Sequence, residues 1–100
     1  MRCGGFSNEK EPTNDEQDIL NSVKGEVESH LDGRVFSNFQ VLKYTTQVVA
    51  GVNYMMKVKA DDTIVHVKIG KPLPHTNLPP FVMGVKKDGI THDSPLEPID

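Results

Sequence analysis

The chain has 100 residues, a formal net charge of −3, one cysteine and no tryptophan, and 25% of its residues are charged. This length predicts one small domain with a modest core. Acidic and basic residues are mixed and no apolar run is long enough to span a membrane, so we expect no nucleic acid and no membrane as partners. The first residues lack the apolar core of a signal peptide, and Cys3 has no second cysteine to pair with. Both features favour a cytoplasmic protein.

The N-terminal third predicts a flexible segment followed by one helix. Residues 1–12 contain glycines and polar residues with little to bury, so they are expected to be flexible. Thr13 and Glu16 have the spacing of a capping box, which places the helix over residues 13–32 with a stop at Gly33. Apolar residues then recur at three- and four-residue spacing and form a stripe that should be buried: Ile19, Leu20, Val23, Val27 and Leu31.

The rest of the chain predicts strands in which apolar and polar residues alternate. Extended chain begins at residues 35–39, and the strands cover residues 41–46, 52–60, 63–69 and 81–86. Met55 and Met56 alternate across a strand, so one is expected in the core and the other on the surface. Residues 87–100 are expected to be irregular, because Pro95 and Pro98 cannot donate ladder hydrogen bonds.

One helix followed by antiparallel strands with short turns implies an α+β fold. We expect a single domain over residues 1–100, in which one long N-terminal helix packs across a four- to five-stranded antiparallel sheet.

The hairpin tip predicted at residues 48–51 is unusually apolar. Exposed tips usually carry Asn, Asp, Gly, Pro or Ser, whereas this one has no charge and two β-branched residues. An apolar tip on a rigid hairpin indicates a surface for a partner, and a core strand that runs straight through is an equal alternative. Tips two strands apart in a meander lie at the same end of the sheet, so the loop at residues 73–75 should be its neighbour. The glycine-containing N-terminus is placed beside them.

Several short motifs occur in the order in which the stefins, the type 1 cystatins, carry them. The chain resembles that family through Gln47-Val48-Val49-Ala50-Gly51, which matches its QxVxG motif, and through Asn53-Tyr54, Lys57-Val58, Val65-His66-Val67-Lys68, Leu73-Pro74-His75 and Cys3-Gly4. The tail departs from the pattern, because stefins usually end in a strand with an acidic-Leu-Thr motif and a terminal aromatic residue. Here the chain ends His92-Asp93-Ser94-Pro95-Leu96-Glu97-Pro98-Ile99-Asp100.

The resemblance implies the cystatin fold and a reversible, competitive, non-covalent inhibitor of papain-like cysteine proteases such as the cathepsins. It also implies a wedge of three segments that enters the protease cleft, with the N-terminus on the non-primed side and two hairpins on the primed side. The residues to which it assigns contact with the protease are Gly4, Gln47, Val48, Val49, Ala50, Gly51, Leu73, Pro74 and His75. The alternative is a non-inhibitory protein-binding module on the same fold.

Nothing in the sequence predicts an enzyme, a metal site or a cofactor. Cys3 lacks a positioned histidine that could make it a nucleophile. The four histidines show no metal-ligand spacing. We expect a monomer, and a domain-swapped dimer or a dimer linked through Cys3 remains open. The identity of the target protease, and whether the tail forms a last strand, also remain open.

Overall fold

The computed structural model describes residues 9–33, 35–49, 51–73, 77–87, 90 and 96, and for Val48 and Val49 it describes the backbone only. Two helices come first along the chain, α1 (Asn14–Ser22) and α2 (Lys24–His30). Four strands follow: β1 (Phe39–Val49), β2 (Gly51–Ala60), β3 (Thr63–Lys71) and β4 (Phe81–Lys86).

The predicted capping box starts α1. The backbone N–H of Thr13 donates to Oε1 of Glu16 at 2.7 Å, and the Thr13 hydroxyl donates to the same oxygen at 2.6 Å. The N–H of Asp15 donates to Oγ1 of Thr13 at 3.3 Å. The two bonds donated by N–H groups occupy donors that have no partner within the helix, so the helix begins where the sequence predicts.

The prediction of one long helix over residues 13–32 is wrong, because the helix is interrupted at Val23. The N–H of Val23 bonds to the carbonyl of Leu20 at 3.1 Å, which is a tighter turn than an α-helix makes. Ser22 Oγ donates to the Ile19 carbonyl at 2.6 Å, and a serine that bonds back in this way bends a helix. Gly25 adds a residue of low helix propensity just beyond the break.

The strands form one antiparallel meander in the order β1-β2-β3-β4. The helices pack on one face of this sheet, with α1 against β1 and α2 against β4. The predicted apolar stripe is buried there in full. The core it forms contains Ile19, Leu20, Val23, Val27, Leu31, Phe36, Val41, Met56, Val58, Ala60, Val65, Val67 and Ile69. The helix-on-antiparallel-sheet architecture predicted from the sequence is therefore confirmed.

Two helix side chains fasten the helices to the edge strands. Gln17 uses both ends of its amide: Nε2 donates to the Phe39 carbonyl at 2.9 Å, and Oε1 accepts from the N–H of Val41 at 3.0 Å. At the other edge, Oε2 of Glu26 accepts from the N–H of Val82 at 2.9 Å. Each bond satisfies a strand group that has no neighbouring strand at that point.

The predicted strand boundaries are wrong at the start of the first strand and correct for the last strand. Residues 35–38 lie outside the sheet, and β1 begins only at Phe39. The pairing of β1 with β2 shifts between Val41 and Lys43, so the regular alternation predicted for the strand at residues 41–46 is interrupted at its start. The last predicted strand, residues 81–86, is confirmed as β4.

The prediction that only one of Met55 and Met56 is buried is wrong. Met56 lies in the core, and Met55 is 1% exposed on the opposite face of the sheet. On that face Met55 stands between Thr45 of β1 and Lys68 of β3. A side chain on a central strand has neighbours on both sides, and long lysine stems cover apolar surface well. Strand alternation predicts which face a side chain is on, but not how well its neighbours cover it.

Candidate functional site

The first hairpin is tighter than predicted. Val48 pairs with Val52 and Val49 pairs with Gly51, so only Ala50 lies between the paired residues. The prediction of a tip spanning residues 48–51 is therefore wrong, because both valines belong to the β1–β2 ladder. Ala50 itself, and the side chains of both valines, lie outside the described part of the structure.

Gly51 brings the two hairpins into contact. Its φ is +123°, a backbone conformation that residues with a Cβ rarely adopt. A Cβ at this position would stand 2.6 Å from the carbonyl oxygen of Lys71 and 3.3 Å from Cα of Pro72. The start of β2 therefore packs directly on the backbone where β3 leads into the second loop. The predicted neighbourhood of the two hairpins is confirmed.

The second hairpin presents exposed apolar side chains beside this contact. Leu73 is 40% exposed and Leu78 is 63% exposed. At the base of the hairpin the ring of Phe81 covers Gly70, with ring atoms 2.7–3.1 Å from where a Cβ would stand. Pro74 and His75, the other predicted residues of this loop, lie outside the described residues.

Sequence reasoning missed three contributors to this edge: Lys71, Pro72 and Leu78. The first two contribute backbone rather than side chains, so no side-chain motif marks them. Their signal was the glycine at position 51, whose missing side chain leaves room for a neighbouring segment. Leu78 could have been found as the second leucine, after Leu73, in a loop whose other residues are glycine, prolines and polar residues.

The first hairpin carries uncharged polar groups near its tip. Asn53 pairs with Gln47 across the strands, and its Nδ2 donates to Oε1 of Gln47 at 3.5 Å. Tyr44 and Tyr54 stand with ring centroids 6.2 Å apart. Burial raises the pKa of both tyrosines above the ordinary value of 10.0, and the negative charge of Glu16 acts in the same direction. Both rings therefore stay neutral at physiological pH.

The N-terminal segment joins the outer edge of β1. Lys10 and Tyr44 form an antiparallel bridge, with N–H···O=C distances of 2.8 and 3.1 Å. Lys43 forms an ion pair with Glu11 beside it. Gly4, the predicted contact of this segment, lies outside the described residues, as does most of the segment predicted to be flexible.

Among the described residues there is no cluster of side chains that could hold a metal ion and no helix that could span a membrane. No three His, Cys, Asp or Glu side chains among them lie close enough to hold a metal ion together. Their helices are too short and too polar to cross a membrane. A polar cleft of about 530 Å³ lies at the opposite end of the sheet, lined by Gln17, Ser37, Asn38, Phe39, Gln40, Lys59, Asp61 and Asp62. It includes none of the predicted binding residues.

A helix across a four-stranded antiparallel meander, with two hairpins meeting at one edge, defines a cystatin-type domain. Residues 4–80 match the family model described as Cystatin domain. The chain is 36% identical over 91 residues to Stefin-C of Bos taurus, covering 90% of this chain and 89% of that protein. It is 35% identical over 94 residues to Cystatin-B of Bos taurus, covering 93% of this chain and 95% of that protein. It is 42% identical over 75 residues to Cystatin-A of Felis catus, covering 74% and 76%.

The chain belongs to the cystatin family, and its relatives place it among the stefins. This is a family of cysteine protease inhibitors rather than enzymes. The resemblance inferred from the short motifs is thereby confirmed.

Proposed function

We propose that this protein inhibits papain-like cysteine proteases, such as the cathepsins, in a reversible, competitive and non-covalent way. The edge formed by the two hairpins would enter the active-site cleft together with the N-terminal segment. The residues proposed to touch the protease are Gly4, Gln47, Val48, Val49, Ala50, Gly51, Leu73, Pro74 and His75.

The observation that carries this proposal is the packing of Gly51 on the backbone of Lys71 and Pro72. It makes the two hairpins one edge rather than two separate loops. Each half of this edge is a hairpin of two paired strands, β1–β2 and β3–β4. An edge that is already ordered in this way loses little conformational entropy on binding. The exposed side chains of Leu73 and Leu78 supply apolar surface that a protease cleft would desolvate.

The Lys10–Tyr44 bridge supports the third part of the proposed wedge. Because the bridge is antiparallel, the chain that precedes Lys10 leaves it in the direction of the β1–β2 tip. Gly4 precedes Lys10 by as many residues as Ala50 follows Tyr44. The segment is therefore long enough to bring Gly4 level with the tip, where a missing Cβ would let its backbone approach the protease closely.

Such a complex would be of standard size and would bury about 1,600 Å² in total. In this proposal the edge would present strand ends and hairpin backbone to the protease, and no peptide bond would be held out for attack. It would block the catalytic cysteine, so the inhibition would be competitive with substrate. Because the inhibitor would be neither cleaved nor covalently bound, the inhibition would also be reversible. The cytoplasm and the monomeric state are part of the same proposal, because the resemblance is to intracellular stefins.

Steady-state inhibition of papain by the full chain tests this function. We expect the inhibition constant to lie below micromolar, the apparent KM to rise with inhibitor concentration, and activity to recover in full on dilution. Absence of inhibition at micromolar concentration would contradict the proposal. It would favour the non-inhibitory binding module on the same fold.

A further inference from the structure

One residue of the C-terminal tail is docked against the start of the chain. Leu96 is 9% exposed, and its backbone N–H donates to Oε2 of Glu9 at 3.0 Å. A carboxylate is a stronger acceptor for a backbone N–H than a neutral oxygen is. This bond joins two segments that are far apart in sequence and that no hairpin brings together.

Glu9 is one of three consecutive residues that hold the N-terminal segment in place. Lys10 is bonded to the backbone of Tyr44, and Glu11 is paired with the side chain of Lys43. The ion pair is exposed on both sides and contributes little by itself. The Glu9–Leu96 bond is the one of the three that lies nearest to Gly4 along the chain.

We propose that Glu9 is a positioning residue for protease binding. The Lys10–Tyr44 bridge holds the root of the N-terminal segment against β1, and the bond from Leu96 to Glu9 would restrain the next residue, so that the segment points along the proposed wedge. This inference rests on the proposed function. A segment fixed at its root loses less freedom when it docks, so the bound complex dissociates more slowly. The tail would thereby contribute to affinity through Glu9.

Dissociation kinetics of the papain complex test this role. Glu9→Ala removes the acceptor, and we expect the dissociation rate constant to rise about threefold to tenfold with little change in association. Glu9→Gln keeps an oxygen that can accept from Leu96, so its dissociation should stay close to that of the wild type. Asp18→Ala is the matched control, because it removes one negative charge from an exposed position on α1.

A positioning role is separated from a merely structural one by repeating Glu9→Ala in the Gly4→Arg background. If Glu9 acts by orienting the segment that carries Gly4, its effect on dissociation should largely disappear there. Leu96→Ala keeps the backbone N–H that donates to Glu9 but removes the buried side chain that holds this N–H in place, so it should also speed dissociation.

Three results would overturn the inference. If the wild-type chain inhibits papain and Glu9→Ala dissociates from it at the wild-type rate, the positioning role of Glu9 is wrong and the proposed function stands. An equal acceleration in both backgrounds would show that Glu9 acts through general stability. A wild-type chain that does not inhibit papain would overturn the proposed function and this inference together.

Discussion

Gly51 is the residue at which backbone conformation and the candidate site depend on each other. Its φ of +123° and the 2.6 Å approach of the Lys71 carbonyl to its Cβ position both exclude a side chain. The glycine that ends the Gln47–Gly51 motif is therefore explained by sterics: only glycine allows β2 to begin where β3 leaves the sheet. The same glycine links the fold to the proposed function, because the contact holds the two hairpins in one edge.

Gly51→Ala should lower the stability and weaken the inhibition of papain. The strained φ alone costs about 1–3 kcal/mol, and the clash with Lys71 would push the hairpins apart. Thermal unfolding and the inhibition constant measure the two effects. Gly25→Ala is the control, since nothing lies within 4 Å of its Cβ position in α2. It should raise stability by about 0.5–1 kcal/mol and leave inhibition unchanged. Equal inhibition by both variants would contradict the role assigned to Gly51.

At the scale of elements, the sequence predicted those features that local chemistry determines. The Thr13–Glu16 spacing placed the start of α1, and the largely apolar run at residues 81–86, after the proline-containing loop, was correctly predicted as a strand. The break at Val23 was not predicted, because it depends on the Ser22 hydroxyl donating its hydrogen bond to the Ile19 carbonyl rather than to water. The burial of Met55 was not predicted either, since it depends on side chains of two other strands.

The capping box makes α1 sensitive to acid. Burial would raise the pKa of Glu16, but the hydrogen bonds from Thr13 and from the Glu16 backbone and the charge of Lys10 outweigh it. The net effect lowers the pKa from its ordinary value of 4.5. A depressed carboxyl pKa contributes stability at pH values above 4.5, and that contribution is lost as pH falls through the folded-state pKa.

Glu16→Gln should therefore make the free energy of unfolding less dependent on pH below about 4.5. Urea unfolding at pH values from 7 to 3, in steps of one pH unit or less, measures how the free energy of unfolding changes with pH. Asp18→Asn is the matched control on the same helix, because it removes an exposed charge. If the two variants flatten the slope equally, the cap is not the source of the acid sensitivity.

At the scale of the whole molecule, the meander and the two helices act as a frame that sets the relative positions of the segments proposed to bind the protease. The two hairpin ends were predictable as neighbours, because alternate tips of a meander share one end of the sheet. Their contact through Gly51 and the backbone of Lys71 was not, because it depends on the twist and bulges of the sheet. The partner itself followed from family resemblance, since no physical property of an apolar edge names the cleft it fits.

If the frame is rigid, the N-terminal segment and the first hairpin should contribute independently to binding. Gly4→Arg would place a bulky charge where the backbone is proposed to pack on the protease, and Val49→Asp would place a charge beside the tip. Each should raise the inhibition constant at least about tenfold, mainly through faster dissociation. The double variant should show the product of the two effects within a factor of about two, as expected for sites that share no contacts.

Thermal unfolding of the same three proteins decides what a loss of inhibition means. Gly4→Arg and Val49→Asp should unfold close to the wild-type temperature, because both changes lie at the proposed binding edge rather than in the described core. If Val49→Asp unfolds the protein, the Val49 side chain supports the fold and does not face the protease. The double variant could instead bind much more tightly than the product of the two single effects predicts. In that case either substitution alone already releases both segments from the protease, and the two segments do not contribute independently as parts of one rigid wedge.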